Sequence, residues 1–234
     1  MTDDGHWLRL FPVPWRFLQT DQRFLKYQWV EVDVVKASDH RPESYKIVKD
    51  GIRILSRPLS TADAWRARKR IVFPQLSASL CELIRNRNKN KHPTLGFFRP
   101  ESIEALLISP AKSQTWTPEQ QVVLRQQELF DKRPKQILEK IPFDFRYEFR
   151  CSDAQCPGHR LKCTDWELGE SFRKWRPEYG EAWEAKFREK FEAYMIRRDT
   201  HFFVGTLKAR PHIWLICGLF YPPRDVGGPT LFPL

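Results

Sequence analysis

An α+β fold is predicted by three features of the chain. Residues 142–150 alternate Phe143, Phe145, Tyr147 and Phe149 with Asp144, Arg146, Glu148 and Arg150, the period of two expected of a strand with one buried face. Residues 180–198 place Trp183, Phe187, Phe191 and Tyr194 or Met195 at helical spacing, with Lys186, Arg188, Lys190, Arg197 and Arg198 on the other side, the apolar stripe of a helix packed on a core. The first part of the chain reads instead as short, proline-bounded strands. These features divide the chain into a small β-rich unit over 1–58, a mainly helical middle over 59–140 and an α+β segment over 141–234, either separate or merged in one continuous domain. With 41% hydrophobic residues, 9 Trp and 17 Phe, the chain has the apolar surface to bury a sizeable core, which excludes a disordered tail.

His6 to Phe11 alternates as a strand before Pro12. Tyr27 to Val35 gives a second strand, Ser38 to Ser44 a polar turn, and Tyr45 to Leu55 a third strand. Ser60 or Thr61 then caps a helix with Asp63 in its first turn, and Trp65, Ile71 or Val72, Leu76, Leu80, Leu83 and Ile84 follow, broken at Pro74. Arg85 to His92 contains no apolar residue and is expected to be a loop. Leu95 to Phe98 reads as a buried strand and Pro100 to Leu106 as a helical turn. Thr117, Pro118 and Gln120 open a helix expected to run to about Phe130. Beyond the aromatic strand, Thr164-Asp165-Trp166-Glu167 has a capping-box pattern, helices are expected over about 165–174 and 180–198, and His201 to Leu207 pairs with Ile213 to Tyr221 as a hairpin. The tail after Pro222 is expected to fray.

No apolar run reaches the roughly 20 residues needed to span a bilayer, and no signal-type segment follows Met1; the expectation is a cytoplasmic protein that does not engage membranes. A chain that opens inside a strand suggests that its natural start lies further upstream. The 5 Cys are odd in number, which argues against a secreted disulfide framework and for a reduced compartment.

Three of those cysteines are crowded with a histidine. Cys151, Cys156, His159 and Cys163 span thirteen positions, and three thiols plus an imidazole could close a tetrahedral zinc site, with Pro157-Gly158 turning His159 back toward the metal. The alternative is a loop of reduced thiols packing as small apolar residues. Asp153 or Asp165 could replace one ligand and open the site. His159, Asp165 and Glu167 could also act as the catalytic set of a Mg²⁺-dependent nuclease or related phosphoryl-transfer enzyme; the competing structural role for Asp165 and Glu167 is the start of a helix. Gly-rich phosphate loops, Gly-x-Ser-x-Gly elbows and His-Glu-x-x-His pairs are absent from the sequence.

The net charge is +11, which attracts polyanions over a Debye length of about 8 Å. Charge concentrates at Arg66, Arg68, Lys69 and Arg70, at Arg85, Arg87, Lys89 and Lys91, at Lys132-Arg133-Pro134-Lys135, and at Lys208 and Arg210. Trp15, Phe17, Tyr27 and Trp29, interleaved with Arg16, Arg23 and Lys26, could stack bases. The first two clusters are the candidate phosphate contacts of a DNA- or RNA-binding protein, with zinc bracing the C-terminal segment. Besides the nuclease, the other reading is a scaffold that meets an acidic protein partner. Arg41 and Glu43 form a further polar cluster, read as a structural turn.

The pieces Trp7-Leu8-Arg9-Leu10-Phe11-Pro12-Val13-Pro14, Lys26-Tyr27-Gln28-Trp29, Arg41-Pro42-Glu43-Ser44-Tyr45, and Gly158-His159 followed by Asp165-Trp166-Glu167 resemble the pattern of an uncharacterised bacterial protein family. The resemblance implies additional sequence before the first strand and brings no activity with it.

Overall fold

A computed structural model describes residues 1–13, 15, 18, 22–122 and 139–224, apart from the side chains of residues 49 and 50. The chain folds as two compact units: Met1–Ser60 with Lys112–Pro142, and Thr61–Ala111 with Phe143–Leu234.

In the first unit β1 (Arg9–Leu10) runs parallel to β3 (Ser44–Ile54), and β3 pairs antiparallel with β2 (Val30–Lys36) across a bulge between Val32 and Val34. The polar turn before β3 is held by ion pairs. Arg41 is buried against Asp39; Glu43 pairs with Arg9, whose guanidinium also donates to Ser44 Oγ at 3.1 Å. The helix opening at 118 shows the expected reciprocal cap: Thr117 Oγ1 accepts from Gln120 N at 3.3 Å, and Gln120 Oε1 accepts from Thr117 N at 3.1 Å. Its expected run to Phe130 lies largely outside the described residues, as do Arg16, Phe17, the Lys132–Lys135 cluster and most of the expected fraying tail.

The second unit holds the core. Helix α1 (Ala62–Val72) leads through a 3-10 turn to β4 (Leu76–Ser77), α2 (Leu80–Asn90), β5 (Leu95–Phe98) and β6 (Ser102–Pro110). Then follow β7 (Phe143–Arg150), β8 (His159–Lys162), α3 (Trp166–Tyr179), α4 (Trp183–Arg188), a π-helical segment (Glu189–Tyr194), α5 (Met195–Arg197), β9 (His201–Thr206) and β10 (Trp214–Phe220). Two sheets form, ordered β10-β9-β5-β4 and β6-β7-β8, linked by a parallel bridge between Cys163 and Ile216.

The aromatic strand behaves as its pattern requires. Phe145, Tyr147 and Phe149 are buried; Phe145 stacks on Phe187 at 4.6 Å and Tyr147 lies 5.3 Å from Phe202. The π-helical turn contributes a partner for the one polar atom on this face: Tyr147 Oη donates to the Phe191 carbonyl at 2.5 Å. The edge of β6 is closed by side chains. Arg188 donates to the Leu106 carbonyl at 2.6 Å, and Glu192 accepts from Leu106 N at 2.8 Å, so the two stand in for a neighbouring strand.

Two local expectations are corrected. Arg85 to Asn90 is the second half of α2, not a loop: a good cap starts the helix, Arg and Lys favour helix, and cations suit its C-terminal end. Residues 102–106 are strand, not a helical turn, because pairing with β7 (Ser102↔Arg150 through Pro110↔Phe143) outweighs the helix propensity of Glu104, Ala105 and Leu106.

Candidate metal centre

The site is assembled from α2 and the turn between β7 and β8. Helix α2 has a firm start: Ser79 Oγ accepts from Glu82 N at 3.0 Å, and the Glu82 carboxylate reaches back to accept from Ala78 N at 3.0 Å. Gly96 on β5 lets this helix approach closely, because a Cβ there would lie 2.4 Å from Leu83 Cδ1. Cys81 is thereby held, buried, in the first turn of α2.

Across from it, β7 and β8 pair up to Phe149↔His159, which brings both ends of the 151–158 turn together. Within the turn, Cys156 N donates to the Asp153 carbonyl at 2.9 Å, and Gly158 sits at φ +82°, a left-handed conformation that glycine adopts without a Cβ penalty. His159 is thus turned inward, its ring 5.3 Å from Phe149 and its Nε2 3.1 Å from Cys81 Sγ. The ligand atoms of Cys81, Cys151, Cys156 and His159 all lie within 4.8 Å of one another. A tetrahedral ion with bonds to sulfur of about 2.3 Å separates its sulfurs by roughly 3.8 Å, so the donor set fits one ion with little inward movement.

Backbone donors complete the surroundings. Cys156 Sγ accepts from Cys151 N at 3.2 Å and from the backbone at Gly158. Cys151 Sγ receives the backbone of Leu80 and Cys81 at the start of α2, where helical N–H groups favour negative charge. Without a cation, burial pushes the Cys81 thiol up to about 12 and raises Cys151. Burial acts upward on Cys156 too, but its backbone donors leave it below the ordinary thiol value. Burial also lowers His159, favouring the neutral imidazole that ligates metal. The cluster could therefore hold a metal ion.

Three of the four expected ligands meet here, and Cys81 takes the place expected of Cys163. The reason is strand geometry. Cys163 follows the far end of β8, and at about 3.3 Å per residue it is carried some 13 Å along the chain from His159. There it is buried at the seam of the two sheets, its N–H donating to the Phe145 carbonyl at 2.8 Å. Asp153 is engaged by Arg85 at 2.5 Å, an ion pair that ties α2 to the turn. Asp165 is the cap of α3 one residue later than the Thr164 expected: its carboxylate accepts from Glu167 N at 2.7 Å and from Leu219 N at 2.9 Å. Glu167 accepts from Tyr221 Oη at 2.7 Å. Neither carboxylate joins the cysteine cluster.

Of the basic residues, Arg66 and Arg70 are exposed on α1, Arg68 lies 4.7 Å over the Trp65 ring, and Lys69 lies 5.9 Å from the Phe73 ring. On α2, Arg85 and Lys89 are exposed and Arg87 is half-buried, and Lys91, which caps the helix C-terminus, is exposed. In the first unit, Arg23 lies 5.9 Å from the Trp15 ring, and Trp15 donates to the Phe24 carbonyl at 2.7 Å. Sequence reasoning missed Cys81, and for a physical reason: a single thiol distant along the chain carries no spacing signal.

Fold and site together define an α+β protein with a three-cysteine, one-histidine cluster between a basic helix and a β-turn. Residues 76–232 match the model of a domain of unknown function (DUF8757), and the chain belongs to that family. Residues 1–74 match a second domain of unknown function (DUF8758). No curated protein and no solved structure shows a significant similarity to the chain. Among the described residues, no helix is long and apolar enough to cross a membrane.

Proposed function

We propose that this protein binds nucleic acid through a zinc-braced basic helix. The observation that carries the reading is the position of Cys81: its sulfur is part of the candidate metal cluster, and it sits on the same helix as Arg85, Arg87 and Lys89, with Lys91 at its C-cap. Arg85 and Lys89 are one helical turn apart, and Arg87 and the C-cap Lys91 add to them, so cations gather at the C-terminal half of α2. A metal bound at its first turn holds that helix in one place, which reduces the ordering cost of meeting a phosphate backbone. Zinc is the ion favoured by three thiols and an imidazole in a closed tetrahedral set, where its role is structural. Asp165 and Glu167 lend less support to a phosphoryl-transfer reading, because helix capping, Leu219 N and Tyr221 already engage them.

The test is fluorescence anisotropy on labelled single- and double-stranded RNA and DNA over a salt series. Affinity should fall linearly with the logarithm of salt, with a slope near −0.7 to −0.9 per phosphate contacted. Replacing Arg87, Lys89 and Lys91 together by Gln should weaken binding and reduce the slope by about 2 to 3. Binding that ignores salt, or a triple variant that keeps its zinc and binds as before, would overturn the proposal; selective capture of an acidic protein in place of nucleic acid would do the same.

A further inference from the structure

Two basic segments far apart in the chain meet at one end of the sheet that α2 packs on. The pairing of β5 with β9 runs from Phe98↔Phe202 to Leu95↔Gly205, and Thr206 N then donates to the Thr94 carbonyl at 2.9 Å. Lys91, the C-cap of α2, stands three residues before Thr94, and the β9–β10 turn with Lys208, Arg210 and His212 begins just after Thr206. At no more than about 3.6 Å per residue, the Cα atoms of Lys91 and Lys208 each lie within about 11 Å of this threonine pair. The turn is fixed at its base: Leu207 N donates to the Ile213 carbonyl at 3.1 Å, and Ile213 N to the Arg210 carbonyl at 2.9 Å.

The same register sorts another basic cluster away from this end. Lys69 on α1 lies 5.9 Å from the Phe73 ring, which lies 5.1 Å from His201 at the start of β9, so it belongs to the opposite end of the sheet. The two segments that do meet carry one electrical sign: no Asp or Glu occurs between Glu82 and Glu101, or between Asp199 and Asp225. Lys89, Lys91, Lys208 and Arg210 are exposed, as are the amides of Asn88 and Asn90. Among the described residues of the two segments, Leu207 is the single large apolar side chain that is exposed. A protein partner would require aromatic or aliphatic anchors at the centre of its interface. Cations with exposed amides beside them suit phosphates and the base edges next to those phosphates.

We infer that the β9–β10 hairpin and the C-terminal end of α2 form one surface for a nucleic-acid backbone, with Arg210 as its contact on the hairpin. The inference rests on the nucleic-acid reading of α2 and adds a second element to it. Each phosphate neutralised releases condensed counterions, so a hairpin contact adds its own increment to the salt dependence of binding. Arginine suits the position because its planar fork meets two phosphate oxygens at once.

Anisotropy of labelled RNA and DNA with the full chain, over a salt series, tests it. A slope of about −0.7 to −0.9 per contact, taken against a 1 M reference, makes Arg210→Gln about five- to eightfold weaker at 0.1 M salt and its slope shallower by about 1. Arg210→Lys, which keeps the charge, should retain most of the affinity. Arg197→Gln removes the same charge from an exposed position at the end of α5, next to the start of β9, and should bind as the parent does. Thermal unfolding of all three should match the parent, since each replaced side chain is exposed. Full affinity in Arg210→Gln, with binding still lost in the triple variant of Arg87, Lys89 and Lys91, would overturn the hairpin contact and leave the α2 reading standing. Equal losses in Arg197→Gln and Arg210→Gln would reduce the effect to net charge and overturn it as well. A loss in Arg210→Gln with none in the triple variant would overturn the joint surface, and a parent chain that binds neither RNA nor DNA would overturn both readings.

Discussion

Replacing Cys81 by alanine separates the metal cluster seen in the fold from the one spelled out by the Cys151 to Cys163 spacing. Cys81 Sγ lies 3.1 Å from His159 Nε2 and within 4.8 Å of the other ligand atoms, whereas Cys163 is buried at the bridge to Ile216. A metal joining Cys81 to Cys151 closes a loop of 151 − 81 = 70 residues, and the chain-entropy relation for a cross-link of that length gives about 4 kcal/mol at 25 °C. Structural zinc sites in small peptides are worth roughly 10 to 16 kcal/mol in all, so losing this one ligand removes a sizeable share. Cys81→Ala is expected to lose near-stoichiometric zinc on dialysis and to melt well below the parent chain. Cys163→Ala should keep its zinc and lose only about 1 kcal/mol from a buried small side chain. The assay is elemental analysis of protein purified without chelator or immobilised nickel, alongside thermal unfolding with and without EDTA. Zinc retained by Cys81→Ala and lost from Cys163→Ala would refute the assembly of the site across α2; absence of zinc from the parent chain would refute the choice of metal.

Two further outcomes follow from the same packing. Tyr147→Phe removes the buried donor to the Phe191 carbonyl at the π-helical turn and should cost about 1 to 2 kcal/mol in urea unfolding at constant m-value; a loss within error would mean that the π-helical turn satisfies that carbonyl by other means. Asp144 is partly buried, which raises its carboxyl, yet Lys162 at 2.5 Å and Arg146 at 2.7 Å outweigh this and hold it below the ordinary value. Its contribution is therefore present above the unfolded pKa of about 3.9 and lost as pH falls through the folded value. Asp144→Asn should flatten the decline in urea midpoint below about pH 4 relative to the parent, and an unchanged acid limb would contradict that assignment.

Much of the fold was legible because local pattern and tertiary packing agree. The alternation from Phe143 to Arg150 survives as β7, and the stripe of Trp183, Phe187, Phe191 and Met195 faces the core along the last helices. The cap at Thr117 and Gln120 could be read from four residues, since capping involves only neighbours in the chain. The turn from Cys151 to His159 was legible for the same reason: Pro157 and Gly158 constrain the backbone locally, and the ligand spacing follows from it.

Where the sequence misled, a nonlocal contact decided. Residues 102–106 carry helix formers but are drawn into strand by the register with β7. The cysteine cluster shows the division most clearly. Composition and spacing by themselves determined that thiols and an imidazole would gather at the 151–159 turn, because those residues are joined by a few bonds. Only the tertiary structure decided that the fourth member of the cluster is Cys81, since strand rise carries Cys163 away from His159 while the close approach of α2 at Gly96 brings Cys81 in.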